Sequence, residues 1–398
     1  MIDIMFDGFI SRQPIFARDL GLYAYELRVC VGDSGREVTP MGDTLSQASN
    51  AIALDELTGP LPAMITSPLD LMAGNAIAWP AERLILKFSP EVLDQNSDLS
   101  SLLPRFQATG YTVSIDGEWQ GLDPSSLQLP DGSLITLSAT SLPPESILRH
   151  YKNQSNITLL AQNINEPDQY EQMKQLGCDL FQGTLFEKPR QFTDTVIPAE
   201  RSATLHLLAR LQDPSIEIDE IEILVSRNAT LSYKLLRLLN SAFFARPQTV
   251  DSIQRAVIFF GLERLRNWAS VIALNSVDYQ PRELITTALV RARTAQLLAQ
   301  TSVSTNSGHC YIAGLFSTLD GMMQAPMATI VEQLNLVPDI KQALIDGSGD
   351  VGEVLTAIRA LEQGQCSHGL SSRLEPGVQQ KAYLNAISVA SEVLGAIA

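Results

Sequence analysis

The segment Leu99–Ile115 reads LSSLLPRFQATGYTVSI and contains one repeat of the pattern that decides the fold. Leu99–Thr109 is typical of a helix, and the glycine that follows, Gly110, stands where glycines commonly end helices. Tyr111–Ile115 then forms a short run of β-favouring residues. A helix that ends at a glycine and leads into a strand predicts one unit of an α/β fold.

The same alternation continues through about the first 190 residues. Further β-rich runs lie at Leu22–Cys30, Pro62–Thr66, Arg83–Phe88, Ser133–Ser138, Asn156–Ala161 and Cys178–Phe181. Further helix-like stretches lie at Thr44–Leu57, Pro144–Asn153 and Pro167–Leu176, and Gly177 ends the last of them. The alternation predicts a mostly parallel sheet, and this number of strands suits a closed barrel. Because a full (βα) barrel usually takes about 250 residues, we expect a trimmed or modified TIM-like barrel.

The pattern changes after Pro198, where the strand signal fades and helical periodicity takes over. Leu231, Leu235 and Leu238 fall on one helical face, and Asn228 stands where it could cap that helix. We therefore predict an α/β domain over residues 1–190, a linker at 191–198 and an all-α domain over 199–398.

The net charge of the chain limits the classes of partner that we expect. Its 398 residues carry a net charge of −16, so the long-range field repels phosphate, and we expect no nucleic-acid and no membrane partner. The four cysteines form no CxxC pair, which favours free thiols in a reducing compartment. The chain starts with acidic instead of basic residues and has no apolar run of about 18 residues, so we expect a cytoplasmic protein.

Motifs for common phosphate and metal chemistry are missing. A phosphohydrolase of the HD type needs a His-Asp pair, but His150, His206, His309 and His368 are followed by Tyr, Leu, Cys and Gly. The sequence contains no P-loop and no GxSxG motif. We therefore expect no metal and no other cofactor, and packing or surface roles for the histidines.

Four landmarks in the first half occur in the order of a known family. They are SRQPIF (11–16) with YELR (25–28), GYTVSID (110–116), LGCDLFQG (176–183) and KP (188–189). Together they resemble the EAL domain of bacterial proteins, a modified barrel that hydrolyses cyclic di-GMP with two divalent metals.

The resemblance also implies which residues would form the site. Glu26 matches a metal-binding glutamate, and Asp116 matches the first of two paired aspartates. The other implied functional positions are occupied by Cys30, Thr66, Lys87, Gly117, Thr136 and Gln162. Lys87 would bring a positive charge to a cation position and could pair with Glu26 or Asp116 instead.

Because a two-metal site needs several carboxylates, the resemblance implies a degenerate phosphodiesterase that is not an enzyme. The sequence then predicts no catalytic residue and no metal ligand. It predicts a vestigial pocket formed by Glu26, Lys87, Asp116 and Gln182, which could contact a ligand.

The second half carries a separate resemblance. VSRNATLS (225–232), LLRLLNSAFF (235–244), SIQRAV (252–257) and FGLE (260–263) resemble the HDOD domain, a helical relative of the HD phosphohydrolases without their metal ligands. An EAL-like domain followed by an HDOD domain is a known architecture of bacterial signalling proteins.

Three functions are consistent with these observations. The leading hypothesis is a non-enzymatic signal-transduction protein whose HDOD domain is a protein-protein interaction module for an unidentified signalling protein. The alternatives are a non-catalytic cyclic di-GMP receptor and an active cyclic di-GMP phosphodiesterase with an unusual metal set. Since dimers are the commonest soluble assembly, a homodimer is the expected oligomer.

Overall fold

The protein is described by a computed structural model that forms two compact units. The first comprises residues 1–185 and 359–380, and the second residues 186–358 and 381–398. The structure describes residues 8–31, 42–67, 77–89, 99–117, 129–141, 156–187, 197, 199–241, 244, 250–277, 282–302, 305–364 and 376–397. The boundaries predicted from the sequence stay a prediction, since helical periodicity alone does not tell which core a helix packs against.

The first unit contains an eight-stranded closed barrel in which the strands follow one another in chain order. The strands are β1 (Gly8–Ala17), β2 (Leu22–Val31), β3 (Ala63–Thr66), β4 (Leu84–Phe88), β5 (Thr112–Asp116), β6 (Leu134–Ser138), β7 (Thr158–Gln162) and β8 (Leu180–Phe181). Neighbouring strands from β2 to β8 are parallel. The barrel predicted from the alternating pattern is therefore confirmed.

One strand of the barrel was missed in the sequence. Gly8–Ala17 forms β1, which is antiparallel to both β2 and β8 and closes the barrel between them. The polar run from Ser11 to Gln13 and the proline at position 14 interrupt the apolar pattern that identifies the other strands. Ile10, Ile15 and Phe16 are nevertheless buried, so the strand is apolar at both of its ends.

The first unit also contains short helices between the strands. They are α1 (Gly42–Ala51), α2 (Leu54–Thr58), α3 (Leu99–Ala108) and α4 (Pro167–Gln175), with 3₁₀ turns at Ala81–Arg83 and Thr184–Glu187. Gly110 and Gly177 follow α3 and α4 with φ angles of +100° and +87°, a conformation that glycine adopts at little cost. The predicted helix at 144–153 lies outside the described residues.

Seven apolar side chains fill one level of the barrel interior. They form a single buried cluster, the apolar layer: Ile15, Ala24, Met64, Ile85, Leu134, Leu160 and Leu180. Because one residue comes from almost every strand, this layer holds the barrel walls together from inside.

The rest of the described chain is helical, as the sequence predicts. The helices are α5 (Ala199–Leu211), α6 (Ile218–Ser226), α7 (Ala229–Leu239), α8 (Ile253–Phe260), α9 (Leu262–Asn275), α10 (Glu283–Ser302), α11 (Ser307–Phe316), α12 (Leu319–Met323), α13 (Met327–Gln333), α14 (Pro338–Ile345), α15 (Gly349–Glu362) and α16 (Pro376–Ile397). Of the helices described, none is both long and apolar enough to cross a membrane.

The ends of α7 show how local sequence shapes this region. The Asn228 side chain caps α7 by accepting a hydrogen bond from the backbone N–H of Leu231 at 3.0 Å, as predicted. At the other end, Asn240 donates to the carbonyl of Leu236 and pairs with both backbone groups of Val250. Asn228 therefore satisfies an N–H group that the helix itself leaves unpaired, and Asn240 connects the end of the helix to the backbone at Val250.

Candidate functional site

A polar layer lies next to the apolar layer. Successive residues of a strand alternate between its two faces, so a residue two positions away points to the same side. Each apolar-layer residue has a polar residue two positions away, towards the carboxyl ends of the parallel strands: Gln13, Glu26, Thr66, Lys87, Thr136, Gln162 and Gln182. On antiparallel β1 this residue comes two positions before Ile15 instead of after it. The polar layer therefore lies at the end of the barrel where such folds place their sites.

Four residues of the polar layer form a closed ring of contacts. The Lys87 ammonium donates to Gln162 Oε1 at 2.9 Å, and Gln162 Nε2 donates to Gln182 Oε1 at 2.6 Å. Gln182 Nε2 donates to Glu26 Oε2 at 2.8 Å, and Glu26 Oε1 lies 3.3 Å from the Lys87 ammonium. We call this set the four-residue ring. It joins side chains from four different strands or strand ends.

The direction of the ring is set by its charged members. A lysine ammonium only donates and a carboxylate only accepts, so hydrogen bonds run from Lys87 through both amides to Glu26. This order fixes which atom of each amide is oxygen, because the reverse orientation would face Lys87 with an NH₂ group.

Arg28 and Gln13 extend the ring at Glu26. The Arg28 guanidinium lies 3.3 Å from Glu26 Oε2 and donates to Gln13 Oε1 at 2.8 Å. Gln182 Nε2 also donates to Gln13 Oε1, at 3.0 Å. Arg28 further donates to the backbone carbonyl of Gln363, which belongs to the same unit. Glu26 is thus held by two cations and one amide.

Glu26 is buried, with 4% of its surface exposed. Burial alone would raise the pKa of its carboxyl group. The charges of Lys87 and Arg28, together with hydrogen bonds from Gln182 and Lys87, outweigh burial and lower the pKa to about 2. The ring therefore holds a carboxylate at neutral pH.

The structure brings three of the four predicted pocket residues together. Glu26, Lys87 and Gln182 belong to the ring, and Lys87 pairs with Glu26, one of the two partners considered from the sequence. The fourth, Asp116, ends β5, is half-buried and lies in register with Thr136. Whether these residues contact a ligand stays a prediction.

The remaining positions that the resemblance singled out have varied surroundings. Thr66 and Thr136 are members of the polar layer, whereas the side chain of Cys30 lies outside the described structure. At Gly117, a Cβ atom would come 2.8 Å from the backbone carbonyl oxygen of Thr136. The close approach of these two strand ends therefore leaves no room for a carboxylate at position 117.

The side chains of the four-residue ring are not arranged to bind the two divalent cations that the resemblance implies. Both oxygens of Glu26 are occupied by cationic or amide hydrogen-bond donors, and the Lys87 ammonium would repel a metal ion beside it. Within the described ranges, no group of three or more His, Cys, Asp or Glu residues is arranged to hold a metal ion.

The histidines occupy separate places. His206 is exposed on α5, where its Nδ1 lies 3.4 Å from the Ser202 hydroxyl. His309, on α11, lies 3.8 Å from a carboxylate oxygen of Asp339. His150 and His368 fall outside the described residues.

Sequence reasoning missed Arg28, Gln13 and Gln162 as members of the site. Arg28 and Gln13 stand in the landmarks quoted for the opening of the barrel, and Gln162 was considered only as a substituted position. The two-residue step from an apolar position on the same strand could have found Gln13 and Gln162, and a second such step beyond Glu26 leads to Arg28.

Comparison with known families identifies the class of the helical region. Residues 197–330 match the HDOD domain family. This match confirms the HDOD domain predicted from the helical motifs and places it after the barrel in the chain.

Two relatives align with nearly the whole chain. The uncharacterized protein YuxH of Bacillus subtilis is 24% identical over 405 residues, which cover 95% of this chain and 97% of YuxH. CdgJ of Vibrio cholerae, named a cyclic di-GMP phosphodiesterase, is 23% identical over 381 residues, which cover 91% of this chain and 86% of CdgJ.

Among solved structures, the YkuI protein of Bacillus subtilis resembles part of the chain. It contains an EAL domain and was solved with cyclic di-GMP and calcium. The identity is 16%, the match covers 64% of this chain and 72% of YkuI, and the TM-score is 0.36.

The comparison with CdgJ corrects one expectation. The sequence led us to expect that the protein is not an enzyme, but a relative along most of the chain is named a phosphodiesterase. The expectation was wrong because it inferred the absence of activity from the loss of individual carboxylates at the metal-binding positions that the resemblance implies. Such losses remove one set of metal ligands and do not by themselves exclude catalysis.

Proposed function

We propose that this protein acts in cyclic di-GMP signalling, with the barrel binding the dinucleotide at the polar layer and the HDOD domain contacting a partner protein. The observation that carries this proposal is the four-residue ring with Arg28 beside it. It gathers two cations around one carboxylate at the carboxyl ends of the barrel strands.

The charge of this group favours an anionic ligand. Lys87 and Arg28 contribute two positive charges and Glu26 one negative charge, so the joined residues carry one net positive charge. They do so in a chain whose net charge is −16. A phosphodiester group carries one negative charge, and a partly buried lysine can bind it by a charge-assisted hydrogen bond.

Lys87 also has a donor to spare. An ammonium group has three N–H donors, and in the described structure two of them are directed to Glu26 and Gln162. Its side chain is 17% exposed, so the third can reach a ligand that enters from the open end of the barrel.

The choice of cyclic di-GMP among anionic ligands is supported by CdgJ, whose name states that it acts on this dinucleotide. The alignment with CdgJ covers 91% of this chain and so includes most of the barrel.

The interaction role of the HDOD domain is supported by exposed apolar side chains. On three consecutive helices, Ile218 and Ile223 of α6, Tyr233 of α7 and Ile258 of α8 are between 41% and 80% exposed. α6 packs against both α7 and α8, so these side chains lie on neighbouring helices. Apolar side chains that form a contiguous surface patch are typical of places where another protein binds.

Calorimetric titration with cyclic di-GMP tests the proposal. We expect the wild-type protein to bind with a Kd below about 10 µM, near −7 kcal/mol. Lys87→Met should weaken binding at least about tenfold, since it removes a charge-assisted hydrogen bond. Lys381→Met removes an exposed lysine in α16 and should leave the affinity unchanged. Absence of heat from the wild-type protein at about 100 µM would contradict the proposal.

The same mixtures also show whether binding leads to reaction. Chromatography of samples taken over several hours separates cyclic di-GMP from a linear product. Formation of the linear dinucleotide by the wild-type protein would show that it shares the activity for which CdgJ is named.

A further inference from the structure

We propose that the Lys87 ammonium is a resident cation in an oxygen-lined position suited to a divalent metal ion, so that ligand binding in this barrel needs no divalent metal. This inference rests on the proposed function for the nature of the ligand. The role of Lys87 as a resident cation can be tested without any ligand.

Oxygen atoms from other strands of the barrel lie around the Lys87 ammonium. Gln162 Oε1 and Glu26 Oε1 come from two different strands and lie 2.9 Å and 3.3 Å from the ammonium nitrogen. On the strands at either side, Thr66 and Ser114 are in register with Lys87. Carboxylate, amide carbonyl and hydroxyl oxygens are the ligands that magnesium, calcium and manganese prefer.

A second observation comes from Ser114. This residue is fully buried, and its hydroxyl oxygen has no hydrogen-bond partner in the described structure. A buried hydroxyl without a partner is costly, so such a group commonly marks a place where a ligand or water completes the site. Its register beside Lys87 places this group next to the proposed cation position.

The amides of the ring are oriented as a metal ion would require. Lys87 draws the carbonyl oxygen of Gln162 towards itself, and Gln162 in turn donates to the carbonyl oxygen of Gln182. A metal ion in place of the ammonium would demand the same orientation, since it also binds oxygen only. The ring could therefore hold either kind of cation without rearranging its amides.

The proposal has a consequence for the wild-type protein. Because the positive charge is covalently attached, chelation cannot remove it. The Kd for cyclic di-GMP should therefore agree within about twofold between buffers containing magnesium and buffers containing EDTA.

Replacement of Lys87 by an acid tests the proposal directly. Lys87→Glu removes the ammonium and adds a second carboxylate beside Glu26. We expect this variant to bind about one Mn²⁺ per chain, at least tenfold more tightly than the wild-type protein does. Electron paramagnetic resonance of free Mn²⁺ at physiological salt measures this binding. Lys381→Glu introduces the same charge change at an exposed site and should bind Mn²⁺ no better than the wild-type protein.

Two results would overturn the proposal. One is a folded Lys87→Glu variant, checked by circular dichroism, whose Mn²⁺ binding equals that of Lys381→Glu. The other is a wild-type protein that itself binds one Mn²⁺ tightly or melts at a clearly higher temperature with Mn²⁺ than with EDTA. The second result needs no variant, so it decides the question even if Lys87→Glu fails to fold.

The Mn²⁺ experiments contain no dinucleotide. A protein that does not bind cyclic di-GMP contradicts the proposed function and still yields a result on the resident cation. Conversely, dinucleotide binding that is lost in EDTA upholds the proposed function and contradicts the inference about Lys87.

Discussion

The apolar layer and the polar layer of the barrel interior differ by one step of two residues along the same strands. Ile85 and Leu160 lie in the apolar layer, and Lys87 and Gln162 follow them in the polar layer. Burial in the apolar layer is non-directional and depends on area and fit. Contacts in the polar layer are directional, and each donor needs its acceptor. The comparison shows that one set of strands provides a stabilising core and, next to it, a site whose chemistry depends on a few matched atoms.

The largest effect is expected from a cavity in the apolar layer. Leu160→Ala removes a fully buried side chain and should lower the free energy of unfolding by about 2–5 kcal/mol. Urea unfolding followed by circular dichroism measures the change. Ile258→Ala, at a side chain that is 80% exposed, should stay within about 0.5 kcal/mol of the wild-type protein. Equal losses in the two variants would show that the apolar layer is not a stabilising core.

In the polar layer, protonation of Glu26 at acidic pH should lower the free energy of unfolding. Its pKa is about 2 in the folded protein against an ordinary value of 4.5, so the unfolded chain binds the proton more readily. The stabilisation is fully present above pH 4.5 and is lost as the pH falls towards 2, by an amount on the order of 3 kcal/mol. Urea unfolding at a series of pH values measures it.

Glu26→Gln is the control for the acid titration, because a glutamine cannot titrate. The variant should lose the part of the pH dependence that Glu26 contributes. If wild-type and variant proteins lost stability in parallel between pH 5 and pH 2, the ring would not stabilise the Glu26 carboxylate.

The smallest effects concern substitutions that conserve shape. Gln162→Met keeps the volume but leaves one N–H donor of Lys87 and the Gln182 carbonyl oxygen without a partner, which should cost about 1–3 kcal/mol and weaken cyclic di-GMP binding. Met64→Leu, in the apolar layer, should cost less than about 1.5 kcal/mol and leave binding unchanged. Thermal unfolding and calorimetry measure both quantities. The reverse order of effects would contradict the distinction between the layers.

Much of the fold was predictable because its signals are local. Gly110 and Gly177 end helices before strands, and the alternation that they punctuate predicted the barrel. Asn228 was recognised as a helix cap for the same reason, since a cap depends on neighbours three residues away. β1 was missed because Pro14 and the polar residues before it conceal its apolar ends.

The site was predictable only in part because it depends on non-local register. The pairing of Lys87 with Glu26 was considered from charge alone, as was a pairing with Asp116. Charge alone does not show which of the two carboxylates pairs with Lys87, because the pairing depends on which strands are neighbours and how the side chains point. The hydrogen bond from Gln162 to Gln182 joins residues from different strands, and no local pattern in the sequence indicates it.

A crystal structure of the wild-type protein grown with cyclic di-GMP and manganese chloride would test the central claim most directly. The account predicts a phosphate oxygen within about 3 Å of the Lys87 ammonium, with Lys87 still bound to Gln162. It also predicts no anomalous manganese signal between Glu26 and Gln162. A manganese ion at that position, or a dinucleotide bound away from the polar layer, would contradict it.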